Sequence, residues 1–130
     1  MKPTNNKLIY LIAGEPSGDL HGSNLIKEIK KHSKKGNYQF RGLGGPMMQK
    51  QGLTTITNFE RLSVMGFIEV IKDIFFFLRL KRKIINDIVD KKPEKIILID
   101  YPGFNLSVAE GIKKKSNIKI YYYISPQLWA

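Results

Sequence analysis

Residues 8–13, read Leu-Ile-Tyr-Leu-Ile-Ala, form an almost continuous apolar run that ends in the loop Gly14-Glu15-Pro16-Ser17-Gly18-Asp19. A run of this kind matches a strand buried on both faces of a parallel sheet. From residue 19 or 20 to about 34, Leu25, Ile26 and Ile29 fall at helical spacing with lysines opposite, and Gly36-Asn37 closes the segment. Residues 38–43 predict a second strand, 47–51 a short helix between Pro46 and Gly52, and the β-branched stretch 54–57 a third strand. Residues 65–90 read as one long helix or two in series. Residues 95–100, Lys-Ile-Ile-Leu-Ile-Asp, predict a fourth strand between Pro93 and Pro102-Gly103; a helix over 105–115 and a tyrosine-rich strand over 118–124 follow.

Strands alternating with helices predict βαβ units, hence an α/β fold with a Rossmann-like parallel sheet and helices on both faces. In the commonest doubly wound order the first and fourth strands are neighbours at the topological switch point, where ligands sit beyond the carboxyl ends of strands. The loops 14–19 and 100–105 are therefore expected to converge there.

Composition narrows the chemistry. The 130 residues include no cysteine, which removes thiol nucleophiles, disulfides, zinc fingers and iron–sulfur ligation. His21 and His32 have no carboxylate at metal-ligand spacing, so no metal site is expected; His21, at the start of the first helix, is placed to touch a ligand in the crevice. Lys+Arg total 22 against 11 Asp+Glu, a net charge of +11 that suggests nucleic acid or an anionic surface. Much of the lysine lies in runs that read as helix ends, where cations complement the helix dipole. The aromatics are clustered in a helix and not interleaved with arginine on a sheet, which argues against a nucleic-acid platform. The apolar run at 8–13 is too short for a signal peptide and lacks a small-x-small cleavage site, and no stretch reaches about 18 uninterrupted apolar residues, so no membrane span is expected.

The first loop is neither a dinucleotide fingerprint nor a P-loop. G-x-G-x-x-G is absent after the first strand, and the lysine and spacing of the phosphate loop are missing. Ser17 sits in G-x-x-S-G, not the G-x-S-x-G of a nucleophile elbow. Glu15 and Asp19 either cap the first helix or, with Ser17, hydrogen-bond the hydroxyls of a polar substrate. Asp100 is the most informative acid: four apolar residues deliver it to the crevice rim, where partial burial suits a general base. Pro102-Gly103 is expected to turn the chain away, leaving Asn105 closer to the next helix start.

In the long helix Phe67, Ile68, Val70, Ile71, Ile74, Phe75 and Leu78 make one apolar face. Phe76 is expected on the wet face beside Lys72 and Asp73, with Phe77 widening the apolar arc and Arg79, Lys81, Arg82 and Lys83 following. A wide aromatic face flanked by cations suits an anionic bilayer, a partner surface or an over-hydrophobic core helix.

Five segments occur in one order: the loop 14–19, Gly44-Gly45-Pro46-Met47-Met48, Leu62-Ser63-Val64-Met65-Gly66-Phe67-Ile68-Glu69-Val70, Ile99-Asp100-Tyr101-Pro102-Gly103-Phe104-Asn105, and Tyr123-Ile124-Ser125-Pro126-Gln127-Leu128-Trp129-Ala130. Together they closely resemble the lipid A disaccharide synthases, bacterial glycosyltransferases. The resemblance implies the amino-terminal, acceptor-side half of a two-domain GT-B type enzyme whose carboxyl-terminal donor domain lies outside residues 1–130. It implies transfer of 2,3-diacylglucosamine from its UDP conjugate to the 6-hydroxyl of 2,3-diacylglucosamine 1-phosphate, with inversion, no cofactor, and a fragment inactive alone. It places the family's proposed base on Asp100 and cleft-lining positions on Glu15, Ser17, Gly18 and Asn105. A membrane and acyl-chain patch falls on Val64, Phe67, Ile68, Ile71, Phe75, Phe76, Phe77, Arg79, Lys81, Arg82 and Lys83, at the cytoplasmic face of the inner membrane. Gly103 departs from relatives that carry a second acid there. A flavodoxin-like small-ligand domain or a basic nucleic-acid module are the readings left open by the residues alone.

Overall fold

A computed structural model describes residues 7–14, 16–33, 38–57, 74–100 and 102–123. The elements are β1 (Lys7–Ala13), α1 (Pro16–His32), β2 (Tyr38–Leu43), α2 (Pro46–Lys50), β3 (Leu53–Thr55), α3 (Ile74–Lys91), β4 (Lys95–Ile99), α4 (Pro102–Lys115) and β5 (Lys119–Tyr123). All pairings are parallel, and the sheet order is β3-β2-β1-β4-β5. β1 is hydrogen-bonded on both sides, to β2 and to β4, which explains its apolar run.

Alternation along the strands divides the core into two layers. Ile9, Leu11 and Ala13 of β1 pack with Ile97 and Ile99 of β4 against Ile26 of α1 and Met48 of α2. Tyr10 and Ile12 pack with Ile96 and Leu98 against Ile84 and Ile88 of α3 and Phe104, Val108 and Ile112 of α4. Helices therefore cover both faces, as expected of this α/β class.

Two helices begin earlier than their apolar periodicity indicates. α1 starts at Pro16, not at residue 19 or 20, and α4 starts at Pro102, not at Asn105. Proline at a first helical position sacrifices no intrahelical hydrogen bond, and its fixed φ suits the turn. Pro102 and Gly103 thus open α4 and do not form a separate turn before it. β3 is one residue earlier and shorter than the 54–57 stretch.

A polar tie crosses the second layer. The Tyr10 hydroxyl donates to Asp87 Oδ2 at 2.9 Å, while Arg41 Nε and Nη2 donate to Oδ2 and Oδ1 at 2.7 and 2.9 Å. Arg41 and Tyr10 are register partners on adjacent strands, so one carboxylate on α3 bolts the helix to β1 and β2 together. Burial raises the Tyr10 pKa, and the Asp87 carboxylate raises it further. For Asp87 burial acts upward, but hydrogen bonds from Arg41 and Tyr10 and the Arg41 charge outweigh it and hold the carboxyl below the usual range.

The sign of the resulting pH dependence follows from the depressed folded value. The Asp87 contribution is fully present above the unfolded carboxylate pKa of about 4 and is lost as pH falls through the folded value. Asp87→Asn is expected to lower stability at pH 7 by about 1–3 kcal/mol and to narrow the gap from wild type below about pH 3. Urea midpoints at the two pH values measure this; equal destabilisation at both would exclude a charge-based tie.

Candidate functional site

Register builds the crevice. Ala13 of β1 pairs with Ile99 of β4, so the two chains leave the sheet at the same level, one toward residue 14 and the other toward residue 100. Gly14 with the first turn of α1, and Asp100 with the first turn of α4, therefore lie beyond the carboxyl ends of the neighbouring central strands.

Asp100 is 7% exposed and adopts φ +49°, the left-handed region that costs a non-glycine residue about 1 kcal/mol. Its backbone is held from three sides. The Asp100 N–H donates to the Tyr123 carbonyl at 2.9 Å, and its own carbonyl accepts from Asn105 Nδ2 at 2.7 Å and from the Tyr122 hydroxyl at 3.0 Å. Asn105 Nδ2 also reaches the Ile99 carbonyl at 3.3 Å. Asn105 is 0% exposed and lies inside the first turns of α4, and its Oδ1 accepts no hydrogen bond from the described residues. It secures the end of β4 and is not positioned as a surface contact for substrate.

The first loop divides its polar groups differently from expectation. Asp19 neither caps its own helix nor faces the crevice as a ligand group: it is 4% exposed, and its carboxylate accepts from the backbone N–H groups of Gly45, Met47 and Met48 at 3.0, 3.0 and 2.9 Å. It supplies from α1 the cap that α2 lacks locally, since Gly45 has no side chain to offer. Gly18, expected among the substrate contacts, is buried; a Cβ there would stand 3.3 Å from Ala13 Cβ and 3.7 Å from Ile99 Cγ2, so what it provides is close approach of α1 to β1 and β4. Ser17 is exposed at the start of α1. His21 stacks obliquely on Tyr123, with ring centroids 6.2 Å apart. Glu15 lies outside the described residues.

On α3 the aromatic assignment is corrected. Phe76 is half-buried and packs on the second core layer together with Phe77, whose ring meets Phe104 of α4 edge-on at 4.9 Å. Around α3, Phe76 shares the side of Leu80 and of Asp87, which meets the sheet through Tyr10 and Arg41, while Phe77, Lys81 and Ile85 face α4. Phe75 is the exposed member, at 70%, with Leu78, Arg79, Arg82 and Lys83 also exposed. Lys81 is half-buried and donates to Ser107 Oγ at 2.7 Å. Val64, Phe67, Ile68 and Ile71 lie outside the described residues. Among the described residues no helix is long and apolar enough to cross a membrane.

A groove of about 620 Å³ lies elsewhere, between α1 and β5 toward the strand starts, lined by Ile9, Leu25, Ile29, Tyr38, Ile97 and Tyr121 among others. It contains neither Asp100 nor Ser17. Apolar periodicity does not single out the Tyr10–Arg41–Asp87 tie; its signals in the sequence are an arginine amid the apolar residues of β2 and a tyrosine inside the β1 run.

Comparison with known proteins bears on this geometry. The sequence profile described as lipid-A-disaccharide synthetase matches residues 9–130. Proteins named lipid-A-disaccharide synthase are 40% identical over 125 residues in Geobacter metallireducens, 39% over 130 in Neisseria meningitidis and 42% over 126 in Haemophilus influenzae. These alignments take in 96%, 100% and 96% of this chain and 32%, 33% and 31% of the relatives. The chain thus spans about a third of the length of the curated relatives it matches.

Two substitutions test the structural roles. Asp19→Ala leaves three N–H groups of α2 without their acceptor and is expected to cost about 2–3 kcal/mol, with Asp19→Asn costing less because its amide oxygen still accepts. Gly103 is exposed in the first turn of α4, and a Cβ there would meet no atom within 4 Å, so Gly103→Asp is expected to stabilise by about 0.5–1 kcal/mol through helix propensity and the dipole. Denaturant unfolding of each variant measures both effects.

Proposed function

Because the chain belongs to the lipid-A-disaccharide synthetase family, we propose that it forms the acceptor-side half of an inverting GT-B type glycosyltransferase, with the donor-binding domain outside residues 1–130. The reaction joins UDP-2,3-diacylglucosamine to 2,3-diacylglucosamine 1-phosphate. The acceptor 6-hydroxyl attacks the anomeric carbon, Asp100 takes the hydroxyl proton, the bond from that carbon to the UDP oxygen breaks, and UDP leaves. The observation that carries this reading is the placement of an acid from the family's motif at the end of β4, beside the end of β1 at the switch point. A single carboxylate suffices because a nucleoside diphosphate is a competent leaving group and needs no proton from a second acid. Ser17, exposed at the opening turn of α1, is placed to hydrogen-bond a sugar hydroxyl, and Glu15 belongs to the same loop.

The substrates carry acyl chains, and the proposed setting is peripheral, on the anionic inner face of the bacterial inner membrane. Phe75, Leu78, Arg79 and Arg82 support it: at 100° per residue the last three lie within roughly 60° of Phe75 on an exposed side of α3. Apolar groups beside cations match the acyl and head-group layers of acidic lipid.

Asp100→Asn in the complete gene product is expected to slow disaccharide formation by about two to four orders of magnitude with the fold intact. A near-normal rate would remove Asp100 from the base role. The membrane reading is tested on the chain itself. Phe75→Ser should weaken binding to vesicles containing acidic lipid and leave the melting temperature unchanged, whereas Phe76→Ser should lower the melting temperature by several degrees because Phe76 packs on the core. Unchanged vesicle binding in Phe75→Ser would exclude this face from lipid contact.

A further inference from the structure

We infer that Tyr122 and Asn105 are positioning residues that act through the backbone of Asp100, holding the reactive carboxylate in a conformation its own chain preference opposes; this rests on the reading of Asp100 as the base. β4 ends at Ile99, and an aspartate continuing the strand would prefer extended or right-handed backbone. At φ +49° the peptide plane is turned, and so is the direction in which Cβ and the carboxylate leave the chain. Such a conformer persists only where its surroundings over-determine it.

The over-determination is visible in the hydrogen bonds. β5 supplies two of them from consecutive residues: the Tyr123 carbonyl takes the Asp100 N–H at 2.9 Å, and the Tyr122 hydroxyl donates to the Asp100 carbonyl at 3.0 Å. Asn105 closes the third side from α4 at 2.7 Å. The carbonyl thus has two side-chain donors arriving from different elements, a strand and a helix, so the peptide cannot rotate without breaking at least one. Register places these donors: Ile99 pairs with Tyr123, which sets the Tyr122 ring on the α4 side of the sheet, packed on the same core layer as Phe104. Among the described residues β5 is the outermost strand on the β4 side, and through this clamp it controls the geometry of the central crevice. A displacement of about 1 Å at a reacting group costs on the order of a hundredfold in rate, so partial loosening is expected to be visible in turnover.

Tyr122→Phe removes one hydroxyl and keeps the ring that packs on the core. In the complete gene product it is expected to lower kcat about tenfold, with KM for either substrate within twofold and the melting temperature nearly unchanged. The decisive arm is a double-mutant cycle. If Tyr122 acts by aiming Asp100, then in an Asp100→Asn background, where the base is already gone, Tyr122→Phe should change the residual rate less than twofold. Asn105→Ala should show the same loss in the native background and the same silence in Asp100→Asn, and serves alone if the tyrosine variant does not fold. A tenfold loss that persists in the Asp100→Asn background, or no loss in either single variant, overturns the clamp while leaving the base reading standing. Near-normal turnover of Asp100→Asn itself would instead overturn the base reading on which the clamp depends.

Discussion

Parallel pairing between β1 and β4 is the constraint on which the rest depends. The two strands are separated by more than eighty positions in sequence, yet Ala13 and Ile99 lie side by side. Such a pairing closes a long loop at considerable entropic cost, and it holds because both strands are apolar on both faces and are covered by helices on each side. Everything chemical follows from where these strands stop. A slip of one residue would exchange the two core layers, putting Tyr10 under α1 and removing the Asp87 contact, so register is fixed by side chains far from the crevice as well as near it.

Two well-buried aspartates stand near the ends of β1 and β4, Asp19 in the first turn of α1 and Asp100 just after β4, and their surroundings give them different work. Asp19 is saturated by three backbone donors from the start of α2, an arrangement that makes a carboxylate an architectural cap. At Asp100 the clamping hydrogen bonds fall on the peptide groups, which fixes the backbone from which the carboxylate projects. Gly18 follows the same division. It brings α1 against the ends of β1 and β4, and the two loops could not come as close if a side chain stood between them.

Much of this is legible in the sequence, for a physical reason. Strands buried on both faces and helices with one apolar stripe leave patterns of different period, and alternation of the two implies parallel order and a switch point. What escapes is information carried by the neighbour of an element and not by the element. The destination of the Asp19 carboxylate depends on α2 arriving beside α1. Phe76 falls on the wet side of the stripe read from residues 67–78, but around α3 it shares the side of Leu80 and of Asp87, which Tyr10 and Arg41 draw onto the sheet, leaving Phe75 outside. Proline breaks helix interiors, so Pro16 and Pro102 look like interruptions in a sequence, whereas both occupy the one helical position that proline favours. Tyr10 looks like one more apolar residue in a strand; its hydroxyl matters only because Arg41 and Asp87 converge on it.

The basic excess is also sorted by topology. In a βαβ unit a helix begins at the carboxyl end of one strand and ends near the amino end of the next, so helix carboxyl termini gather on the side opposite the crevice. Lys30, Lys31 and His32 of α1, Lys91 of α3 and Lys113, Lys114 and Lys115 of α4 all belong to last turns. There they complement helix dipoles, and their number requires no polyanionic partner. Arg79, Arg82 and Lys83 are different. They lie within the first ten residues of α3, toward its crevice end, and the exposed Phe75 precedes them. The basic excess thus includes two distinct populations, one electrostatically matched to its own helices and one exposed on α3 toward its amino-terminal end. If acylated sugars are drawn from a lipid surface, as proposed, that second population is on the side from which they would enter, and the distance from head group to base is set by the same strand ends that set the crevice.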